Sequence, residues 1–197
     1  MDGIHHGRER VNSCGSQASA RSHATSASDR GPLSCPGRAV NVWPIRGTNG
    51  KERESARWRA QAANMHARIF AEAWNPQLCS FVSTLGGDML DATALLLAEL
   101  RFLPASDERF VATVNAIGKH LRSGDLLFCY RHADDFGVPT TTFAVCAFWY
   151  VNALAVVGRI DEARELYGRL LSHRNAVGLP SEDIDLHTGE LWGNFPQ

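Results

Sequence analysis

The fold class is decided by the stretch Thr141-Thr-Phe-Ala-Val-Cys-Ala-Phe-Trp-Tyr-Val-Asn-Ala-Leu-Ala-Val-Val157 and by Gly158-Arg-Ile160-Asp-Glu-Ala-Arg-Glu-Leu-Tyr-Gly-Arg-Leu-Leu-Ser-His173, which follows it directly. Apolar residues fill nearly every position of the first stretch. This predicts a helix from Thr141 to Val157 that is buried on most faces and has Gly158 as its C-cap. The second stretch predicts an amphipathic helix from Ile160 to His173, because its apolar residues recur at steps of three and four. Its expected inward face consists of Ile160, Ala163, Tyr167, Leu170 and Leu171.

The same alternation of buried and one-sided helices continues upstream. A helix that begins near Arg57 is expected to end before Asn75-Pro76, because proline disfavours helical geometry in the residue before it. Met89 to Leu100 is apolar almost all round and predicts a second buried helix. Arg109 to Arg122 predicts an amphipathic helix with Ser106 or Asp107 as its N-cap. The expected inward faces are Trp58, Ala62, Met65, Ile69 and Ala73 in the first helix, and Phe110, Val114, Ile117 and Leu121 in the last.

Alternating buried and one-sided helices, with a loop from Ser123 to Pro139, predict an all-α fold. Two nested rings of helices would produce this pattern, because an inner helix touches neighbours all round while an outer helix has one face in water. A solenoid of helix pairs is the alternative, and Gly158-Arg-Ile-Asp-Glu-Ala-Arg-Glu-Leu-Tyr has some tetratricopeptide character. The chain shows no period of ~34 residues, however, which disfavours the solenoid.

The N-terminal segment, Met1 to Glu54, has a different composition, dominated by Gly, Ser, Arg, Pro and His. It has too little apolar area to offset the entropy cost of ordering it, so we expect residues 1–54 to be disordered. The segment is either a flexible tail or an anomalous N-terminus that arose from a frameshift or a misplaced start. Helical structure is expected only in residues 55–197.

Composition excludes several classes of partner. A formal net charge of −1 and a pI near 6.7 give no field that would attract nucleic acid or an anionic membrane, and fit neutral substrates best. The longest apolar stretch, Thr142 to Val157, is shorter than the ~18 residues that a membrane-spanning helix needs. The five cysteines have no CxxC spacing and the N-terminus has no secretory signal, which together predict a reduced, cytoplasmic protein.

Several short motifs in the C-terminal three quarters of the chain resemble those of glycoside hydrolase family 15, which contains glucoamylases and trehalase-like enzymes. Their order and spacing are more specific than any single motif. The motifs are Leu90-Asp91-Ala-Thr-Ala-Leu-Leu-Leu, Phe102-Leu-Pro-Ala-Ser-Asp, Tyr130-Arg131, Asp134-Asp-Phe-Gly-Val-Pro-Thr, Phe143-Ala-Val-Cys-Ala-Phe-Trp149, Gly158-Arg, and Glu182-Asp-Ile-Asp followed by Gly193-Asn-Phe-Pro-Gln197.

The resemblance implies part of an (α/α)6 barrel and an inverting reaction at terminal α-glucosidic bonds. In that mechanism one carboxylic acid protonates the leaving oxygen while a second carboxylate activates water on the opposite face. Glu182 matches the family's base, although an isolated loop Glu is ordinarily a solvated acid. Arg131 matches an arginine of the family that contacts sugar hydroxyls, although His132 replaces the Tyr that usually follows it. The alternative is a structural role for Arg131, in an ion pair with Asp134 or Asp135.

Trp192 is a candidate for stacking on a sugar ring, with a place in the core as its alternative. Asp91 must be paired if it is enclosed, which favours a structural role. The resemblance implies no cofactor and no metal ion, and the histidines have no ligand-like spacing.

The family's general acid belongs to a Trp-Glu motif that does not occur in this sequence. We therefore expect a truncated glycoside hydrolase-like protein that binds an oligosaccharide or disaccharide and releases no glucose by itself. The alternative is a non-catalytic helical module that binds sugar or protein. Met89 to Leu100 and Thr141 to Val157 would then be uncovered apolar helices through which the chain associates.

Overall fold

The computed structural model of the chain describes residues 52–195, which form a mainly helical structure with three small antiparallel sheets. The expected disorder of residues 1–51 lies outside the described residues. Glu52–Glu54, which were expected to be disordered as well, are helical. The α-helices are α1 (Glu52–Glu72), α2 (Glu108–His120), α3 (Ala144–Val156) and α4 (Ile160–Leu170), and two 3-10 helices cover Ala92–Leu97 and Leu171–His173. The strands are β1 (Trp74–Asn75), β2 (Ser80–Phe81), β3 (Arg122–Ser123), β4 (Leu126–Leu127), β5 (Thr141–Phe143), β6 (Asp183–Asp185) and β7 (Leu191–Trp192).

Helix α3 lies at the centre of the core. It packs against α2, α4, β4 and the 3-10 helix Ala92–Leu97, which confirms that it is buried on most faces. Of its residues only Asn152 and Val156 are exposed, so the expectation that this helix is an uncovered association surface is wrong. Gly158 has φ +89°, and the N–H of Arg159 donates to Leu154 O at 2.9 Å, which gives the Schellman termination that the sequence predicted.

The first three residues of the predicted α3 are a strand. Thr141, Thr142 and Phe143 pair antiparallel with Asp185, Ile184 and Asp183. The buried Thr142 hydroxyl also donates to Ile184 O at 3.0 Å. β-Branched and aromatic side chains suit a half-buried strand, and the partner strand lies about forty residues later, so a local pattern could not reveal the pairing.

The predicted buried helix from Met89 to Leu100 is reduced to the 3-10 helix Ala92–Leu97. Met89 O accepts from Ser83 N at 2.9 Å, so Met89 precedes the helix, which instead begins after its N-cap Asp91. At the other end of this helix the chain changes direction. Arg101 has φ +58°, and Phe102 N donates to Leu97 O at 2.8 Å. Leu100 is consequently 70% exposed rather than buried.

Helix α2 agrees with its prediction. Asp107 is the N-cap, and its Oδ1 accepts from the Arg109 backbone N–H at 2.9 Å. The predicted inward residues are all buried, since capping and apolar periodicity are local features: Phe110, Val114, Ile117 and Leu121. The loop predicted after this helix contains the β3–β4 hairpin, whose Leu126 and Leu127 are buried.

The outer helices α1 and α4 bury less than expected. Trp58 and Met65 of α1 are 56% and 64% exposed, whereas Ser55 in its first turn is buried. Among the described residues, the C-terminal turns of α1 contact the core, and Cζ of Arg109 lies 3.4 Å from the centre of the Phe70 ring there. In α4 the predicted inward residues Ile160 and Tyr167 are exposed. The buried stripe is narrower and consists of Ala163, Leu166 and Leu170. Within residues 52–195, no helix has the length and apolar character needed to cross a membrane.

The contact between α2 and α3 depends on a glycine. A Cβ built on Gly118 would lie 2.1 Å from Tyr150 Oη and 2.8 Å from Tyr150 Cζ, and the Tyr150 side chain is buried. A Cβ built on Gly168 of α4, by contrast, would have no contacting atom within 4 Å. Each glycine lies two residues before the last residue of its helix, so they form a matched pair.

We predict that Gly118→Ala lowers the free energy of unfolding by about 1 to 3 kcal/mol, because the methyl group overpacks the helix contact. Gly168→Ala should raise it by up to about 1 kcal/mol through helix propensity alone. Urea unfolding followed by circular dichroism measures both values. Equal effects of the two substitutions would contradict the packing of Tyr150 against Gly118.

Candidate functional site

Glu182 lies immediately before β6, and its backbone is paired on both sides. Its N–H donates to Asn194 O at 3.0 Å, and its carbonyl accepts from Ala144 N at 2.8 Å. The β5–β6–β7 sheet therefore fixes Glu182 between the start of α3 and the segment after β7. The backbone at this position is thus defined by contacts that are remote in sequence.

The carboxylate of Glu182 is held through one oxygen. Oε2 accepts from the Asn194 backbone N–H at 3.0 Å and from Asn194 Nδ2 at 2.8 Å. Within residues 52–195, Oε1 accepts no hydrogen bond and the carboxylate forms no ion pair. One oxygen is therefore oriented while the other can accept a proton. A solvated loop acid would not be fixed in this way.

Gly193 makes this arrangement possible. It follows β7 directly, has φ +79°, and a Cβ built on it would lie 2.7 Å from Glu182 Oε2. Any other residue would have to displace the carboxylate and adopt a strained backbone. No residue pattern indicates the contact with Asn194 directly, although the Thr188-Gly189 turn indicates a hairpin that would bring both segments together.

Asp183 follows Glu182 directly and is the first residue of β6. Burial raises the pKa of the Asp183 carboxyl, the Glu182 charge raises it further, and a hydrogen bond with Thr141 opposes both effects. The two carboxyl groups are thus electrostatically coupled.

Asp185 has a structural role in the hairpin between β6 and β7. Its Oδ1 accepts from the backbone N–H groups of His187 and Thr188, both at 2.8 Å. These bonds lower the pKa of the Asp185 carboxyl, with Thr188 as the larger cause. Glu190 is exposed in the same hairpin. Asp185 therefore stabilises the turn between β6 and β7.

Trp192 lies in β7 and pairs directly with Asp183 across the β6–β7 ladder, so both side chains leave the same face of the sheet. The indole is 55% exposed, so the expected alternative of a core tryptophan is wrong. The structure therefore leaves the Trp192 ring accessible to solvent.

Arg131 lines a cavity of about 320 Å³ that contains neither Glu182 nor Trp192. Its guanidinium lies 4.3 Å from the centre of the Phe128 ring, and Nη2 donates to Arg122 O at 3.3 Å. The sequence did not predict which residues share this cavity. They are Leu78, Asp88, Met89, Leu90, His120, Leu121 and His132.

The ion pair proposed as the structural role of Arg131 is not present in the described residues. Asp134 is instead engaged by the Tyr130 hydroxyl and by the Phe136 backbone N–H at 2.8 Å. These two hydrogen bonds, that of Tyr130 first, lower the pKa of Asp134. Arg131 therefore keeps donor groups that are not used by a carboxylate.

The Asp91 carboxylate is hydrogen-bonded, as expected for an acid in an enclosed position. Its Oδ1 accepts from the Thr93 backbone N–H at 2.8 Å and from the Thr93 hydroxyl at 2.6 Å, which caps the 3-10 helix. Among the described residues, no three His, Cys, Asp or Glu side chains are grouped as metal ligands would be.

Comparison with known proteins adds an independent observation. The model of "Glycosyl hydrolases family 15" matches residues 6–197. The chain belongs to this family. It is 38% identical over 151 residues to the trehalase of Mycolicibacterium smegmatis and 34% identical over 142 residues to that of Thermoplasma acidophilum. These matches cover 75% and 72% of the chain but 22% and 24% of the relatives, so the chain spans less than a quarter of their length.

Solved glycosidases share the fold of this family 15 chain. A wild-type glycosidase superposes with a TM-score of 0.60 at 20% identity, over 69% of this chain and 36% of the other. A variant glycosidase solved in complex with glucose gives a TM-score of 0.59 at 20% identity over the same shares. The described residues therefore have a helical fold of the glycosidase type.

For the family 15 hairpin, we predict that Gly193→Ala destabilises the chain more than Gly189→Ala. Both glycines have positive φ, +79° and +73°, so each substitution costs about 1 kcal/mol of backbone strain. Only the Gly193 methyl collides with Glu182, which adds about 1 to 3 kcal/mol. Urea unfolding measures the difference, and equal destabilisation would argue against the close approach of the carboxylate.

We also predict that Glu182→Gln lowers the pKa of Asp183, which should still remain above the ordinary value for an aspartate because burial is the larger cause. Carboxyl-carbon NMR titration measures the shift, with Glu190→Gln as the control that leaves it unchanged. Since the folded pKa of Asp183 exceeds the unfolded one, its contribution to stability is present below about pH 4 and is lost as pH rises through the folded pKa. An unchanged Asp183 pKa in Glu182→Gln would disprove the coupling.

Proposed function

We propose that this chain carries the base half of an inverting family 15 glycoside hydrolase that acts on terminal α-glucosidic bonds. The observation that carries the proposal is the Glu182 carboxylate, oriented by Asn194 through Oε2 and with Oε1 unengaged by the described residues. Family membership supports the same role, since Glu182 matches the family's base motif. The proposed fold of the complete catalytic unit is an (α/α)6 barrel of inner and outer helices, of which residues 55–197 would be a part.

Glu182 would act as a general base. Oε1 would remove a proton from a water molecule while that water attacks the anomeric carbon, on the face opposite the leaving oxygen. The two hydrogen bonds from Asn194 to Oε2 would keep the carboxylate from rotating away during the attack. A base fixed through one oxygen loses little freedom when the water binds.

We propose that the general acid is absent from this sequence. An inverting pair needs two carboxyl groups ~6.5 to 9.5 Å apart on opposite sides of the glycosidic bond. No Trp-Glu dipeptide occurs in the chain. Without an acid the leaving oxygen would depart as an alkoxide, which costs ~10²- to 10⁴-fold in rate.

The proposed substrate is a neutral glucoside, with trehalose as the first candidate. Two kinds of relative support this: proteins named trehalase, and a glycosidase solved with glucose. Arg131 would donate to sugar hydroxyls from its cavity, since its guanidinium is not ion-paired. Trp192 would stack on a sugar unit, because its indole is exposed. The proposed location is the cytoplasm.

The proposal predicts that the chain releases no measurable glucose from trehalose or maltose but hydrolyses α-glucosyl fluoride. Fluoride leaves without a proton, so this substrate requires the base and not the acid. Glu182→Gln should reduce fluoride hydrolysis by ~10²- to 10⁴-fold. Glu190→Gln, an exposed acid of the same hairpin, should leave the rate unchanged.

Fluoride-selective electrode measurements and a coupled glucose assay follow both reactions. Hydrolysis of trehalose that Glu182→Gln abolishes would show that the chain contains an acid and would overturn this part of the proposal. Fluoride hydrolysis that is insensitive to Glu182→Gln would overturn the base assignment. A chain that binds glucose but hydrolyses neither substrate would instead be the non-catalytic sugar-binding module.

A further inference from the structure

Helix α1 has an apolar face that the core does not use. Trp58 and Met65 lie seven residues apart, which is nearly two turns, so both side chains leave the same side of the helix. More than half of each side chain is exposed. The residues of α1 that pack on the core are Ile69, Phe70 and Ala73, near its C-terminal end. Tryptophan and methionine are enriched in protein interfaces, which marks this exposed face as a contact surface.

A row of polar residues borders this face, and the two ends of the row carry opposite charges. Glu54, Gln61 and Arg68 are also seven residues apart, and all three are exposed. The row thus has a carboxylate at its N-terminal end, an amide in the middle and a guanidinium at its C-terminal end. Arg68 Nε donates to Glu72 at 3.0 Å, and within residues 52–195 the Nη groups of Arg68 donate no hydrogen bond. They can therefore bind a second carboxylate.

We propose that a second copy of the chain covers this face, with the two α1 helices antiparallel about a two-fold axis that passes between Gln61 and Ala62. Trp58 and Met65 lie about 5 Å from that point along the helix, on opposite sides of it, because a helix rises about 1.5 Å per residue. Each Trp58 is then level with the partner's Met65. Contacts between a thioether sulfur and an aromatic ring are favourable, so the two copies bury these side chains against each other twice.

The same axis pairs the charges, which is why a second copy fits this face. Glu54 and Arg68 lie about 11 Å and about 10 Å from the axis, again on opposite sides of it, so each Glu54 is level with the partner's Arg68. A parallel pair would instead place like charges level with each other. Gln61 meets its own copy beside the axis, where its amide can both donate and accept. The inference does not depend on the proposed hydrolytic activity, because it uses only α1.

Sedimentation equilibrium of the full chain tests the dimer, with reductant present to exclude dimers linked by intermolecular disulfides. From low to high micromolar concentrations we expect a monomer–dimer equilibrium that weakens as salt is added. Met65→Glu should abolish the dimer, because it places an unpaired carboxylate against the partner's Trp58. Ala67→Glu adds the same charge on the opposite, exposed side of α1 and should leave the dimer unchanged. A chain that stays monomeric throughout, because residues 1–51 or another protein cover this face, would overturn the proposal.

Charge reversal tests the orientation of the two helices. Glu54→Arg and Arg68→Glu should each weaken the dimer by roughly tenfold, because two ion pairs become two contacts between like charges. The double variant Glu54→Arg/Arg68→Glu restores opposite charges and should restore the dimer. Arg59→Glu, an exposed residue on another side of α1, is the matched control and should have no effect. A dimer that the single reversals leave unchanged, as a parallel pair requires, or that the double variant fails to restore would disprove the proposal.

Discussion

The hydrogen bond from the Ala144 N–H to the Glu182 carbonyl is the contact on which the core and the candidate site both depend. Helix α3 begins after Phe143, which supplies no side-chain cap, so its first N–H groups need partners from elsewhere. Strand β6 provides one of them, and β5 joins the two elements through a three-residue ladder. Among the described residues, the helix at the centre of the core therefore begins with a hydrogen bond to Glu182, whose side chain is the candidate base.

This arrangement explains why the carboxylate can be held precisely although it lies on a long irregular segment. The backbone of Glu182 is hydrogen-bonded on both sides, one carboxylate oxygen is bound by Asn194, and Gly193 leaves room for it. The contacts with Gly193 and Asn194 come from the residues that follow β7, and the Ala144 N–H comes from the start of α3. Loosening the hairpin would thus affect the carboxylate and the start of α3 together.

Sequence reasoning predicted the parts of the structure that are encoded locally. The N-cap Asp107, the buried face of α2, the burial of α3 and the turn at Gly158 all follow from residues within a few positions of one another. It failed where distant segments compete with local preference. The pairing of β5 with β6 converted the expected start of α3 into a strand, and the contact of Met89 with Ser83 shortened the expected second buried helix.

The candidate site shows the same division. The motif around Glu182 identified the carboxylate, but the residues that position it, Gly193 and Asn194, are defined only by the hairpin. Arg131 and Trp192 were expected to bind sugar; the structure places Arg131 in a cavity that Glu182 does not line, and it leaves the Trp192 ring exposed. Spacing in a sequence cannot show which face of a sheet a side chain leaves when the pairing itself is not known.

A crystal structure of the chain with bound glucose tests the central claim most directly, namely that Glu182 is a positioned base. The account predicts that Oε2 remains bonded to Asn194 while a water molecule or a glucose hydroxyl lies within hydrogen-bond distance of Oε1. A Glu182 carboxylate that is detached from Asn194 and turned to solvent, with glucose bound elsewhere, would contradict it.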